Sequence, residues 1–169
     1  MKHLTLIRHA KAVEATQGDD DHERVLRGRG RRAAAELGQQ LAGNIPDLIL
    51  CSTAARTRET VACATGIWPR VPVIRFEREL YLVAAARLLR HLEQIEPAFE
   101  TVWLVGHNPG IHELVRQLAA HAVGAERFPE LTQRFPTAAR ATFAIDTDRW
   151  RDLPHARLEL LEFVLSMME

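Results

Sequence analysis

Lysine is almost missing from this chain. Only Lys2 and Lys11 occur among 22 basic residues, and the rest are arginines. A planar guanidinium grips phosphate oxygens in pairs, which an ammonium cannot do. Codon preference in a GC-rich genome produces the same bias, so the excess by itself selects no ligand. Cysteine is also scarce. Cys51 and Cys63 make no disulfide framework, and both sit in apolar surroundings as expected buried thiols. With no C-x-x-C pair there is no structural zinc signature. No apolar run reaches membrane-spanning length, and no apolar segment follows a basic start as in a signal peptide. A cytoplasmic protein is therefore expected. Net charge is absent too: 22 basic and 22 acidic residues cancel. Nothing global points to nucleic acid or membrane as a partner. What is present is ordinary globular composition, 47% hydrophobic and 26% charged over 169 residues. That length predicts one domain spanning 1–169, without repeats, low-complexity tracts or linkers.

The stretch Leu4-Thr-Leu-Ile-Arg-His-Ala10 reads as a short buried strand that runs out into Arg8 and His9. In open α/β sheets, ligands collect just beyond the carboxyl ends of strands. Residues 11–23 are polar, and Asp19-Asp20-Asp21 within them is expected as a solvated loop. Leu26 to Leu41 has helical spacing at Ala33, Ala34, Leu37 and Leu41, stopped by Gly43-Asn44. The cluster Arg24, Arg27, Arg29, Arg31 and Arg32 at its start is read either as a docking patch for an acidic partner or as a solvated face. Leu48 to Cys51 is a second strand. A helix to about Ala64 follows, with Ser52 or Thr53 as its expected N-cap and Arg56 in its first turn. A helix N-terminus beside a guanidinium suits an anion.

Val71 to Phe76 reads as a third strand, and Ala84 to Ile95 as an amphipathic helix ended by Pro97. Thr101 to Val105 is another apolar strand, ending in Gly106-His107-Asn108-Pro109-Gly110 before a further helix with Leu114, Val115 and Leu118 buried. Phe128 to Pro136 is irregular. Ala138 to Ile145 is a candidate strand, and Leu158 to Leu165 a last strand or short helix, with Trp150 between them as a packing anchor. This alternation predicts an α/β fold, a mostly parallel central sheet with helices on both faces. The strand ends at Arg8-His9, Ser52–Arg56 and Gly106-His107 then point the same way. Two histidines and two arginines converge on one crevice.

Such a set suits phosphoryl transfer. Two guanidiniums orient the phosphoryl oxygens, and a neutral imidazole between them attacks phosphorus and carries the group covalently. Arg8 and Arg56 are expected to lower the pKa of His9, since like charge disfavours imidazolium. A bond from one ring nitrogen to a backbone carbonyl is expected to fix which nitrogen attacks. His107 is placed to hold a phosphoryl oxygen. The cations take the place of a metal, and no cofactor is expected.

Arg8-His9-Ala10, Ser52-Thr53-Ala54-Ala55-Arg56-Thr57 and Gly106-His107-Asn108-Pro109-Gly110 resemble, in order, the motifs of the histidine phosphatase superfamily, whose fold is phosphoglycerate mutase-like. With Lys11, Glu79-Leu80-Tyr81 and Phe135-Pro136-Thr137-Ala138, the pattern is similar to its short bacterial SixA-like branch. The resemblance implies a phosphatase with His9 as nucleophile and Arg8, Arg56 and His107 as the phosphate pocket. It also implies that Thr137 and Ala138 close the pocket wall, though a loop entering a strand explains them equally. Larger family members use a carboxylic acid after the third strand to protonate the leaving oxygen. Glu79 is the nearest candidate, with Glu77 behind it, and is expected to be structural. Only about twenty residues, one helix, separate Glu79 from Thr101, so no cap domain is expected over the site.

An open pocket suits a phosphoryl group carried on a protein surface. Imidazole, with a pKa of about 6.5, leaves far more readily than an alkoxide and needs no strong acid. The expected substrate is therefore phosphohistidine on a phosphorelay or phosphocarrier protein. Two other readings stand beside it: a small-molecule phosphomonoesterase or mutase of the same superfamily, and a non-catalytic phosphoprotein-binding module. Metal binding is not expected, because His107 and His112 lack the one-turn spacing of a helical zinc pair. Gly28-Arg29-Gly30 follows no strand and is no P-loop.

Overall fold

A computed structural model of the chain describes residues 1–168. Seven strands form one sheet in the order β3-β2-β4-β1-β6-β7-β5. They are β1 (Lys2–Arg8), β2 (Leu48–Ser52), β3 (Val73–Glu77), β4 (Thr101–Gly106), β5 (Ala122–Val123), β6 (Arg140–Asp146) and β7 (Arg157–Val164). Helices α1 (Gly28–Gln40), α2 (Ala55–Thr65), α3 (Ala85–Glu93) and α4 (Gly110–Ala119) lie between them. β3, β2, β4 and β1 are mutually parallel, while β6 runs antiparallel to β1 and to β7. The sheet is thus mostly parallel, with an antiparallel flank. The segment 158–165 resolves as strand, and the two-residue β5 was not legible in the sequence.

Strands β1, β2 and β4 are mostly apolar on both faces because both faces are covered, whereas the edge strand β3 is largely unburied. On one side Leu4, Leu6, Leu48, Leu50, Val102 and Leu104 pack with Leu88 and Leu92 of α3 and with Ile111, Leu114 and Val115 of α4. On the other, Ile7, Ile49, Cys51, Trp103 and Val105 pack with Leu37 of α1 and with Val61 and Ala64 of α2. Alternation along each strand divides these two sets. Trp150 is fully buried, and its indole N–H donates to the Phe99 carbonyl at 2.7 Å, as expected of an anchor. Cys51 is buried, but Cys63 on α2 is half-exposed, so only one of the two cysteines matches expectation.

Two glycines set how closely α1 approaches its neighbours. A Cβ on Gly38 would lie 1.9 Å from the Ala64 carbonyl oxygen of α2, and one on Gly30 would lie 2.1 Å from that of Lys11. Gly30 therefore packs α1 onto the loop that leaves β1, which is its role in place of phosphate binding. Between the turn at Arg78–Leu80 and β4 the chain forms only α3, so no cap domain is inserted.

Candidate active site

Register explains why the predicted residues meet. Arg8 of β1 stands opposite Gly106 of β4, and β2 lies on the far side of β4. Three parallel strands therefore deliver His9, His107 and the start of α2 to one edge. β6 runs the other way, so the segment that precedes it, Thr137-Ala138, arrives at the same edge. Thr137 and Ala138 are both buried there. The Ala138 N–H faces the carbonyls of Arg8 and His9 at 3.2 and 3.1 Å, with Ala138 in the left-handed region at φ 60°. A non-glycine residue held there is strained, and such strain gathers at functional sites.

His9 is 7% exposed. Its Nδ1 lies 2.7 Å from the Ala10 carbonyl, which only accepts, so Nδ1 carries the proton and Nε2 keeps its lone pair. The loop is pinned further by His9 N–H on the Gly106 carbonyl and by Ala10 N–H on Thr60 Oγ1. The imidazole is held neutral, its pKa pushed down to about 3, first by burial and then by the charges of Arg56, Arg8 and Arg24, against the pull of the Ala10 bond. The direction matches the sequence expectation, but burial outweighs the arginines as its cause.

His107, 4% exposed, stands with its ring centroid 5.3 Å from that of His9. Its pKa is also lowered, first by burial and then by His9 and Arg56. Its Nε2 is 2.8 Å from Ser52 Oγ, while its Nδ1 is buried with no protein partner. Arg8 Nη1 donates to the Phe135 carbonyl at 3.2 Å, and Asn108 Nδ2 donates to the same oxygen at 2.8 Å. That carbonyl ties the ends of β1 and β4 to the Phe135–Ala138 segment.

Arg56 is 2% exposed. Its Nη1 donates to the Asp21 carbonyl at 2.7 Å and its Nη2 to Asp21 Oδ2 at 3.0 Å, leaving a buried Nε without a protein partner. Asp21 is the correction to the solvated-loop expectation. Asp19 and Asp20 are exposed, but Asp21 opens a 3-10 turn, Asp21–Glu23, that folds back over the site. Its carboxylate also accepts from Arg24 and from the Tyr81 hydroxyl. These bonds, Tyr81's first, hold it well below the usual carboxylate range. Tyr81 places its ring edge-on to His107 at 5.4 Å and to His22 at 4.9 Å. The sequence reading missed Asp21, His22 and Tyr81 as site residues. The available signals were Tyr81's place in the Glu79-Leu80-Tyr81 motif and its status as the only tyrosine.

Three other expectations resolve as follows. α2 is capped at Ala54 without a side-chain bond, because Ser52 Oγ is engaged by His107 and Thr53 Oγ1 by His22. Glu79 is exposed and lines a groove with Leu50, Arg75, Glu77 and His91, none of which belongs to the His9 cluster. The basic cluster is largely tied within the chain: Arg24 to Asp21, Arg27 to Glu14 and Arg31 to Glu59. Among the described residues, no group of three or more His, Cys, Asp or Glu gathers as a metal site.

Comparison with known proteins agrees with this geometry. The model of the histidine phosphatase superfamily, branch 1, matches residues 4–79. An uncharacterized protein of Mycobacterium tuberculosis is 34% identical over 163 residues, covering 93% of this chain and 98% of its own. The solved structure of a candidate phosphohistidine phosphatase, SixA, from Nakamurella multipartitia superposes with a TM-score of 0.84. It is 32% identical, over 98% of this chain and 96% of that one. This chain belongs to the histidine phosphatase superfamily. The candidate SixA of Agrobacterium tumefaciens is similar as well, with a TM-score of 0.77, 30% identity and 97% coverage of both chains. The protein is a SixA-like phosphatase, with the phosphoglycerate mutase-like fold and no cap domain. The matched segment 4–79 contains Arg8, His9 and Arg56, while His107, Thr137 and Ala138 lie beyond it.

Proposed function

We propose that the protein removes phosphate from phosphohistidine on a partner protein, without a metal and through a phosphohistidine intermediate on His9. The observation that carries this reading is the His9–Ala10 bond at 2.7 Å, which leaves Nε2 as the lone-pair nitrogen within the Arg8, Arg56 and His107 cluster. In the first step the Nε2 lone pair forms a bond to phosphorus. The bond to the substrate nitrogen breaks, its electron pair stays with the departing imidazole, and solvent supplies the proton. In the second step water attacks phosphorus, the His9–phosphorus bond breaks, and inorganic phosphate leaves while a water proton passes to solvent. Arg8 and Arg56 neutralise the phosphoryl oxygens in both steps, and His107 holds one of them. Thr137 and Ala138 form the wall behind Arg8 and His9.

Two further features favour an imidazole leaving group. The carboxylate nearest the cluster, Asp21, is held ionised by Tyr81, Arg24 and Arg56, so it has no proton to give. Glu79 faces another groove. An alkoxide would depart slowly from such a site, whereas imidazole departs without a strong acid. The candidate SixA phosphohistidine phosphatases of similar structure support the same substrate class.

The test is phosphate release from a histidine-phosphorylated protein and from a small aryl phosphate, by wild type and His9→Ala, with and without excess EDTA. Robust release from the phosphoprotein is expected, unaffected by EDTA and lost by at least a thousandfold in the variant. Release from the aryl phosphate alone would move the assignment to small-molecule phosphatase. No release from either would leave a phosphoprotein-binding module.

A further inference from the structure

Ser52 sits at the last position of β2 with no exposed surface, and its hydroxyl lies 2.8 Å from His107 Nε2. Its conventional use, capping α2, is not what the structure shows. The Ser52 Oγ instead accepts the Ala54 N–H at 3.3 Å. A serine hydroxyl has one hydrogen and two lone pairs. With Ala54 occupying a lone pair, the hydroxyl hydrogen remains to be placed, and the neighbour at hydrogen-bond distance is His107 Nε2.

Resting on the phosphoryl-transfer reading above, we propose that Ser52 is a positioning residue that donates to His107 Nε2 and so sets the tautomer that presents Nδ1–H to the substrate. A neutral imidazole has one N–H and one lone pair, and whichever nitrogen accepts a bond leaves the other as donor. His107 Nδ1 is the buried ring nitrogen with no protein partner. Buried polar atoms are rarely left unpaired, and those that are mark places where something else binds. A phosphoryl oxygen only accepts, so it attracts an N–H and is repelled by a lone pair. The Nδ1–H tautomer is therefore the productive one, and the other tautomer would aim its lone pair at the anion. Arg56 Nε is another buried donor without a protein partner beside it, whereas the buried Asn108 Oδ1, also without one, is an acceptor and does not fit this role. Asp21 takes one hydrogen from each terminal nitrogen of Arg56, which leaves the Nε edge for ligand. Ser52 and Asp21 thus turn their partners so that His107 Nδ1–H and the Nε edge of Arg56 stay open, and both match the same acceptor-only group.

The experiment combines inhibition by inorganic orthovanadate with long-range 1H–15N imidazole spectra, which distinguish the two neutral tautomers and imidazolium. The His107 signal is assigned by its loss in His107→Gln. With orthovanadate bound, wild type is expected to show His107 as the neutral Nδ1–H form. Ser52→Ala is expected to shift it toward Nε2–H, weaken orthovanadate inhibition at least tenfold and lower kcat, while the His9 tautomer stays unchanged. An Nε2–H or doubly protonated His107 in wild type overturns the proposal. So does a folded Ser52→Ala protein with unchanged inhibition and spectrum. If Ser52→Ala does not fold, the wild-type spectrum decides alone. Turnover of phosphoprotein alongside the wrong tautomer removes only the Ser52 role, whereas absence of both turnover and orthovanadate binding removes the functional reading and this inference together.

Discussion

His9 and His107 show how burial shapes a side chain's chemistry. Both pKa values are lowered, chiefly because a buried imidazolium loses its hydration, with neighbouring charge adding to that loss. The folded protein holds both rings neutral where the unfolded chain, with pKa near 6.5, begins to bind protons. Between pH 6.5 and about 3 the unfolded state therefore binds more protons, so stability falls as pH falls through this window. Each histidine contributes a slope of about 1.4 kcal/mol per pH unit once the unfolded ring is fully protonated. Denaturant titrations at pH 5 and 6 check this, and His9→Gln should lower the slope by about one proton's worth. Activity should behave differently. With His9 already neutral, kcat/KM should show no ionisation near pH 6.5 from the free enzyme's nucleophile. A clear acid limb centred there, shared by stability-neutral variants, would show that His9 titrates normally. Glu79 belongs to the same scale. Its position in a separate groove predicts that Glu79→Gln keeps phosphohistidine activity within about threefold of wild type. Loss of that activity would break the link between the missing acid and the imidazole leaving group.

At the level of elements, the site depends on how tightly α1, α2 and the β1 exit loop are pressed together. Gly38 shows it best. Glycine in mid-helix ordinarily costs about 0.5–1 kcal/mol relative to alanine, so Gly→Ala there is usually stabilising. Here a Cβ would lie 1.9 Å from the Ala64 backbone oxygen, and the Gly38 carbonyl also accepts from the Trp68 indole. Backbone cannot swing aside as a side chain can. Gly38→Ala should therefore destabilise by about 1–3 kcal/mol, the usual range for overpacking, visible as a lowered midpoint in urea. Because α2 carries Arg56, and Thr60 of α2 binds the Ala10 N–H, the same change should also raise KM. The antiparallel β6 has the complementary role. By reversing direction it returns Thr137 and Ala138 to the edge where the parallel strands end.

On the scale of the whole molecule, the chain is electrically balanced, and several of its arginines are paired with carboxylates within the chain. With no cap domain, access to His9 is bounded by the 3-10 turn at Asp21–Glu23 and by Tyr81. Among the described residues no helix is long and apolar enough to cross a membrane.

The order of strands and helices was legible because local patterns encode it: apolar runs for strands buried on both faces, 3.6-residue spacing for α1, α3 and α4. Arg8, His9, Arg56 and His107 were legible for a related reason, since chemistry-bearing residues at the ends of parallel strands must share an edge whatever the exact register. Asp21 was not. It lies in a polar loop with no periodicity, next to two aspartates that are exposed, and only the path of the folded chain separates it from them. The same holds for Ser52, whose sequence position reads as a helix cap until His107 is seen to engage its hydroxyl, and for Ala138, whose left-handed backbone nothing local announces. The sequence by itself determined the elements and the four groups of the cluster, because both follow from composition and spacing along the chain. Only the tertiary structure decided which nitrogen of His107 is bound, which hydrogens of Arg56 are taken and why His9 stays neutral. Those depend on distances between segments 35 to 60 residues apart, set by strand register and helix packing.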